Sequence, residues 1–352
     1  MSNLILNREK SIHNCITCVK PLTEWIKPIF NSHHPQTFFF RVDAGCIPGL
    51  SFGHLTRCLT LSNVFRKIFR SENIFLMRSY IEGVNHAVYS GEIVKQLTTE
   101  PNNNFEKTTI LNLADEFKPE WFIIDLPYPD IDTSYFPILK KKGIKILFID
   151  DARFINPGVD VLFNSNILAP QKIKKDPDSH TQYFLGPEFF IFDDSLTHLN
   201  ITRKDQKLIA VITLGGSDPT GLTRKILEAL ILFQWSDVLF RVILGPGYTK
   251  IDYINFLVKN RKKNFEVVIN PSNIIPFFQE CDFAICAGGR TMYELLYLKK
   301  QFLPIASTKH ESESISSLIN QGILQHGMTQ WQSEKFKTQI ISLLNDKSPE
   351  KK

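Results

Sequence analysis

Short apolar runs recur along the chain at Phe38–Val42, Asn73–Met77, Trp121–Ile124, Ile144–Ile149 and Val159–Phe163, each bounded by polar or turn-forming residues. Runs of this length, rich in aromatic and β-branched residues, predict buried strands. Between them the spacing changes: Leu59, Leu61, Val64, Phe65 and Ile68 recur as on one face of a helix. A second series starts after Thr202. It predicts strands at Leu208–Leu214, Leu239–Leu244, Phe265–Val268, Phe283–Cys286 and Phe302–Pro304. A helix from Thr223 to Phe233 carries Ile226, Leu227, Leu230 and Ile231 on one face. Strand and helix alternating in this way imply a largely parallel sheet. Two such series, joined near residues 190–205, predict an α/β protein of two Rossmann-like lobes facing a central cleft. Residues 1–36 read as an extension with a poor apolar pattern, 37–200 as the N-terminal lobe and 201–352 as the C-terminal lobe. There is no short-period repeat, and the charged tail Lys347–Lys352 is the one biased segment.

A chain of 352 residues has room for two domains, each with its own core. Hydrophobic residues make up 43% and charged residues 22%, which excludes wholesale disorder. The net charge of +5 is small for the length, and Lys140-Lys141-Lys142 and Arg261-Lys262-Lys263 read as solvated element ends. Without a long basic block interleaved with aromatics, nucleic acid is not an expected partner. No apolar stretch reaches the roughly 18 residues needed to span a bilayer. Arg8, Glu9 and Lys10 interrupt any secretory apolar core. Six cysteines are too few for a disulfide scaffold, and the expected setting is a reducing cytoplasm. Cys15 and Cys18, near His13 and His33-His34, form a lone CxxC without a second ligand pair, so no metal and no cofactor are expected.

Three strand-to-helix turns carry candidate chemistry. The first runs from Arg41 through Asp43, Gly45, Gly49, Gly53 and His54 to Arg57. Glycine lets a ligand approach the backbone, and the free N–H groups of a helix start attract phosphate. A histidine at such a mouth is a candidate proton acceptor, the alternative being a helix-end residue that only packs. The second turn is Gly215-Gly216-Ser217-Asp218, whose consecutive glycines allow a tight turn and present N–H groups to an anion. The third is Cys286-Ala287-Gly288-Gly289-Arg290-Thr291-Met292-Tyr293-Glu294. There the glycine pair and Thr291 suit a diphosphate. Glu294 suits either ribose hydroxyls or the capping-box partner role to Thr291, three residues earlier. Asp125 and Asp150-Asp151 follow apolar strands, where a parallel sheet presents polar groups to its crevice. They suit support of His54 or of a sugar, or plain turn and cap roles.

Taken together, these residues resemble the UDP-sugar hydrolases of the pseudaminic acid pathway. The resemblance runs in order through Arg41-x-Asp43, Gly53-His54-x-x-Arg57-Cys58-Leu59, Ile123-Ile124-Asp125, Ile149-Asp150-Asp151, Leu185-Gly186-Pro187, Gly215-Gly216-Ser217-Asp218-Pro219 and Ala287-Gly288-Gly289 to Glu294. It covers about residues 38 to 325. It implies a GT-B-like fold, UDP held mainly by the C-terminal lobe, and hydrolysis of UDP-2,4-diacetamido-2,4,6-trideoxy-β-L-altrose. In that reading His54 is the proton acceptor, Glu294 binds substrate, and a UDP-sugar is the partner. The chain also departs from the family pattern at Ser51, at Leu126-Pro127-Tyr128, at Gly221 and at His310-Glu311, and its first loop is longer. A glycosyltransferase of the same fold, with an acceptor hydroxyl in place of water, and a non-catalytic sugar-nucleotide binder are the alternatives.

Overall fold

The computed structural model describes residues 22–30, 36–47, 50, 52–98, 103–151, 153–192, 196, 207–233, 235, 237–261 and 263–345. Cys15, Cys18, His13, His33-His34, most of the 190–205 junction and the charged tail lie outside the described residues. The chain divides into two compact units, Val19–Asp193 and the part from Asp194 onward.

The first lobe is a seven-stranded, all-parallel sheet. Its strands are β1 (Thr37–Val42), β2 (Glu72–Arg78), β3 (Ile93–Leu97), β4 (Trp121–Asp125), β5 (Lys145–Ile149), β6 (Val161–Asn164) and β7 (Gln182–Leu185). Their order across the sheet is β3-β2-β1-β4-β5-β6-β7. Parallel strands covered on both faces are continuously apolar, and β1 shows why: successive side chains alternate between faces. Phe38 and Phe40 join the core under the Gly53–Phe69 and Ile81–Tyr89 helices. Phe39 joins the opposite core, under the Asn103–Phe117 and Phe136–Lys141 helices. All three phenylalanines are fully buried.

Two strands escaped the apolar pattern. β3 reads IVKQL and is largely exposed at the sheet edge, and β7 is a four-residue edge strand. Residues 22–30 do not stand apart from this core. The Leu22–Ile26 helix and the turn after it bury Leu22, Trp25, Ile26, Ile29 and Phe30. Trp25 stacks on Phe163 at 5.1 Å, while the Phe30 ring lies 4.5 Å from Trp121 and 4.7 Å from Phe65.

The second lobe repeats the plan with five parallel strands: β8 (Leu208–Thr213), β9 (Val238–Leu244), β10 (Phe265–Ile269), β11 (Phe283–Ala287) and β12 (Gln301–Ile305). Their order is β10-β9-β8-β11-β12. Pro304 is accommodated because β12 is an edge strand, where a missing N–H costs no ladder bond. Both sheets reverse their winding once, between β1 and β4 in the first lobe and between β8 and β11 in the second. At such a switch point the two connections leave in opposite directions, opening a crevice beyond the carboxyl ends of the strands. The turns after β1 and β4, and after β8 and β11, carry the candidate residues, apart from Asp150 and Asp151, which follow β5.

Phe30→Ala removes a ring that is 1% exposed and wedged among other aromatics. The expected loss is about 3–5 kcal/mol from the first unfolding transition in urea, read by tryptophan fluorescence. A loss below about 1 kcal/mol would mean that residues 22–30 do not hold this core.

Candidate functional site

At the first switch point the structure draws together residues from three separate stretches of sequence. β4 ends on Asp125, whose carboxylate is fully buried and lies in register with Val42 of β1. The Gly53–Phe69 helix starts beside it and carries His54 and Arg57 on its first turn. His54 Nδ1 lies 2.6 Å from Asp125 Oδ1. An ionised carboxylate only accepts, so Nδ1 carries a proton, and in the neutral ring the lone pair then falls on Nε2. The histidine side chain is 18% exposed, open enough for a solute.

Arg57 locks this pair from behind. Its Nε and Nη2 donate to the two Asp125 oxygens at 2.7 and 2.6 Å, and Nη1 and Nη2 donate to Asp151 at 2.7 and 2.9 Å. Burial alone would raise the Asp125 pKa, but Arg57 and then His54 outweigh it and hold the carboxyl below its ordinary value. Burial likewise opposes the charge on Arg57, and the Asp125 and Asp151 carboxylates more than offset it. Cys58, 3.8 Å from Asp125 Oδ2, is pushed well up, by burial first and then by Asp125, and stays a thiol.

The other acidic residues divide their roles. Asp150 is a turn residue: it accepts from the amides of Arg153 and Phe154 and from Asn164, and pairs with Arg153 at 3.0 Å. Asp43 belongs to a separate buried network. It pairs with Arg41 at 2.7 Å and accepts from the Arg78 amide and from Tyr128 Oη. Arg41 and Arg78 both reach on to Glu106. Gly53 is the first residue of its helix, and its φ is not among the positive ones. Sequence reasoning missed Arg153, whose Nη1 donates to the carbonyls of Leu126 and Tyr128 and so holds the segment that follows Asp125. Its signal was an arginine three residues beyond the Asp150 turn.

The second lobe places its two candidate turns side by side on adjacent strands, β8 and β11. Gly215 sits at φ +84, which favours glycine. The amides of Gly215, Gly216 and Ser217 have no acceptor among the described residues, so this turn does present N–H groups. The helix behind it does not, because Asp218 accepts from Leu222 N and Thr223 N at 2.9 and 2.7 Å and has already capped that end. The Gly245-Pro246-Gly247 turn after β9 was not singled out. A Cβ on Gly245 would lie 2.5 Å from Gly216 Cα, so only glycine fits, and Gly247 N donates to Gly216 O at 2.8 Å. A Gly-x-Gly directly after a strand was the available signal.

After β11, Gly289 is the N-cap of the Arg290–Tyr297 helix, with no side-chain cap. The amides of Gly288, Gly289 and Thr291 have no acceptor among the described residues. Thr291 is therefore inside the helix, and the capping-box reading of Glu294 is corrected. Glu294 is buried and bonds Arg290 Nε at 2.7 Å. The side-chain-capped helix start of this region lies at Thr308, which accepts from Glu311 N. Glu311 Oε2 accepts from Ser307 N, and Oε1 lies 3.3 Å from where a Gly289 Cβ would stand. Among the described residues no group of three or more His, Cys, Asp or Glu is placed to hold a metal ion, and no helix is long and apolar enough to cross a membrane.

The chain matches no protein-family profile. It is similar to an uncharacterized protein, MJ1062, of Methanocaldococcus jannaschii, with 29% identity over 71% of this chain and 51% of that protein. It is also similar to the pseudaminic acid cytidylyltransferase and UDP-2,4-diacetamido-2,4,6-trideoxy-beta-L-altropyranose hydrolase of Helicobacter pylori, with 27% identity over 51% of this chain and 33% of that protein. A third relative is the spore coat polysaccharide biosynthesis protein SpsG of Bacillus subtilis, with 21% identity over 41% of this chain and 43% of that protein. The matches thus span about half or less of the relatives' lengths. Among solved structures it resembles Anabaena HepE in complex with UDP-glucose, with a TM-score of 0.60, 12% identity and coverage of 88% and 90% of the two chains. Acinetobacter baumannii MurG gives a TM-score of 0.59, 12% identity and coverage of 88% and 91%. At such identity the likeness is one of fold, the two α/β lobes of the GT-B architecture.

The Asp125 pair makes a testable link between stability and acid. Its lowered folded pKa contributes stability above the ordinary carboxylate value of 3.8, and that contribution is lost as pH falls through the folded value. Asp125→Asn leaves Arg57 with Asp151 alone and removes the carboxylate that faces His54 Nδ1, an expected cost of about 3–5 kcal/mol at pH 7. In urea titrations the gap between wild type and variant should narrow as pH drops from 5 towards 3. A gap that is constant with pH would show that Asp125 is not held ionised by Arg57.

Proposed function

We propose that this chain cleaves the bond between a sugar and the diphosphate of a UDP-sugar, with His54 as the proton acceptor. The observation that carries the reading is the His54–Asp125 contact of 2.6 Å at a switch point, backed by the Arg57 clamp. A base is useful only if its acceptor nitrogen is defined, and Asp125 defines it by accepting the hydrogen bond from Nδ1–H. His54 Nε2 removes the proton of an attacking hydroxyl as its oxygen bonds to the anomeric carbon. The C1–O bond breaks, and its electron pair leaves on the diphosphate oxygen. The N–H groups of Gly215, Gly216 and Ser217, and those of Gly288, Gly289 and Thr291, hold and stabilise that charge. Glu294 takes the ribose hydroxyls. Arg57 and Asp151 keep the base in place, and Asp43 supports the neighbouring loop.

Water as the nucleophile gives a hydrolase acting on a UDP-linked deoxy-diacetamido sugar. The motif resemblance and the hydrolase named in the Helicobacter pylori relative support it. An acceptor hydroxyl as the nucleophile gives a glycosyltransferase. The likeness in fold to MurG and to HepE supports that second reading, as does a first loop longer than the family's. Product analysis decides between them: UDP and free sugar without any acceptor mark the hydrolase, and UDP release only with an acceptor marks the transferase.

In either case His54→Ala should slow UDP release by about 10²–10⁴-fold while UDP affinity stays within a few-fold. Retention of more than about a tenth of the rate would remove His54 as the base. Glu294→Gln should weaken UDP binding by about ten-fold, the value of a charge-assisted pair of about 1.5 kcal/mol. Titration calorimetry that finds unchanged affinity would leave Glu294 as no more than the partner of Arg290.

A further inference from the structure

The Ile251–Val258 helix of the second lobe is more apolar than its packing uses. It leads from β9 to β10, the outer strand of the sheet, and a helix at that position needs one apolar stripe. Ile254 and Val258 supply it, with Ile251 and Leu257 packed beside them. Tyr253 and Phe256 lie off the stripe, 40% and 72% exposed. Tyr253 is tied down, its Oη donating to Glu228 Oε1 at 3.0 Å, so Phe256 is the side chain that the core leaves over.

The same bond sets the register of two neighbouring helices. Leu222–Leu230 follows β8 and Ile251–Val258 follows β9, its parallel neighbour, so the two helices run in the same direction. One turn on from the Glu228–Tyr253 pair come Leu232, 73% exposed, and Phe256. Two large apolar side chains thus share one end of the lobe, and that end is basic. Lys259 lies three residues after Phe256, on its side of the helix. Arg261 closes the short Lys259–Arg261 turn that continues the helix, and Lys263 follows. All three cations are exposed, and none has an ion-pair partner among the described residues. The acids of this face stand back from it: Glu228 is shared by Tyr253 and Arg224, and Asp252 lies a turn before Phe256.

What such an end can bind follows from its size and charge. A stable protein interface buries about 1,000 Å² or more around an apolar centre, beyond what two side chains supply. A nucleic-acid strand asks for several stacking rings or a long basic groove, and this end offers one untied ring and three cations. An anionic lipid surface asks for less. It takes a shallow apolar insertion, with cations at headgroup depth on stems long enough to keep the charge wet. We propose that this end of the second lobe docks on an anionic lipid surface, Phe256 and Leu232 entering the interface and Lys259, Arg261 and Lys263 facing the headgroup anions. The contact is peripheral, needs no spanning helix and does not depend on the reaction at His54.

Sedimentation of the full chain with lipid vesicles tests the docking. Vesicles of phosphatidylcholine alone are compared with vesicles holding about 30% phosphatidylglycerol, at low and at high salt. Expected is co-sedimentation with the anionic vesicles only, reduced by salt. Each cation near such a surface is worth about five-fold in binding, so Lys259→Glu with Lys263→Glu should weaken it more than about twenty-fold. Lys141→Glu with Lys174→Glu, at exposed lysines of the first lobe, makes the same change of net charge and should leave binding nearly unchanged. Phe256→Ser, at a position the core does not use, should weaken binding about ten-fold. A second readout stands if the charge variants fail to fold: Phe256→Trp fluorescence should be quenched by brominated phosphatidylglycerol where that of the wild type is not. Sedimentation that ignores the anionic lipid, or that both lysine pairs weaken alike, overturns the proposal. So does equal binding to RNA or to polyglutamate that Phe256→Ser leaves intact, which would make the patch a general polyanion site.

Discussion

The first lobe is organised around one buried carboxylate. Asp125 sits at the end of a central strand with no water to solvate it, so its charge exists only because Arg57 and His54 face it. A charge buried in this way is costly unless every lone pair is engaged. Here the cost sets geometry: the guanidinium must lie flat against two carboxylates at once, which fixes the first turn of the Gly53–Phe69 helix against the ends of β4 and β5. The imidazole orientation follows from that placement and needs no separate device.

The fold was legible where burial is complete and dim where it is partial. The Phe38–Phe40 run announces a central strand because both faces of a parallel sheet are covered. The same logic hides β3, whose IVKQL faces solvent at an edge. The Leu22–Ile26 helix is five residues long, too short to show a period, and its anchoring comes from Trp25 and Phe30 reaching rings far along the chain. At the candidate site, the positions of His54, Arg57 and Asp125 could be read because each flanks a strand end. Their partnership stood as one option beside sugar-binding and turn roles, since the choice depends on the lateral order of β1, β4 and β5. Asp150 and Asp151 look alike in sequence, yet one closes its own turn and the other reaches Arg57.

The two glycine-rich turns of the second lobe look equivalent in sequence and differ in electrostatics. Asp218 has neutralised the helix start after β8, whereas the helix after β11 starts on a bare glycine. An anion that meets both turns therefore meets a full helix terminus only at the second, with the first acting through isolated amides. Glu294 and Glu311 flank that second terminus, each with one oxygen tied, to Arg290 and to Ser307. The acid nearest the glycine pair in space is thus Glu311, which the spacing of the Gly288–Glu294 string does not reveal.

The interlocked glycines give the β8 turn a further property. Gly245 packs backbone on backbone against Gly215 and Gly216, and Gly247 against Gly216 and the short Ser217 side chain, with no long side chain to act as a spring between them. Two loops in such contact have few independent ways to move, and whatever freedom remains they share. A guest that stills one stills the other, so the entropy of fastening this part of the lobe is surrendered once for two loops.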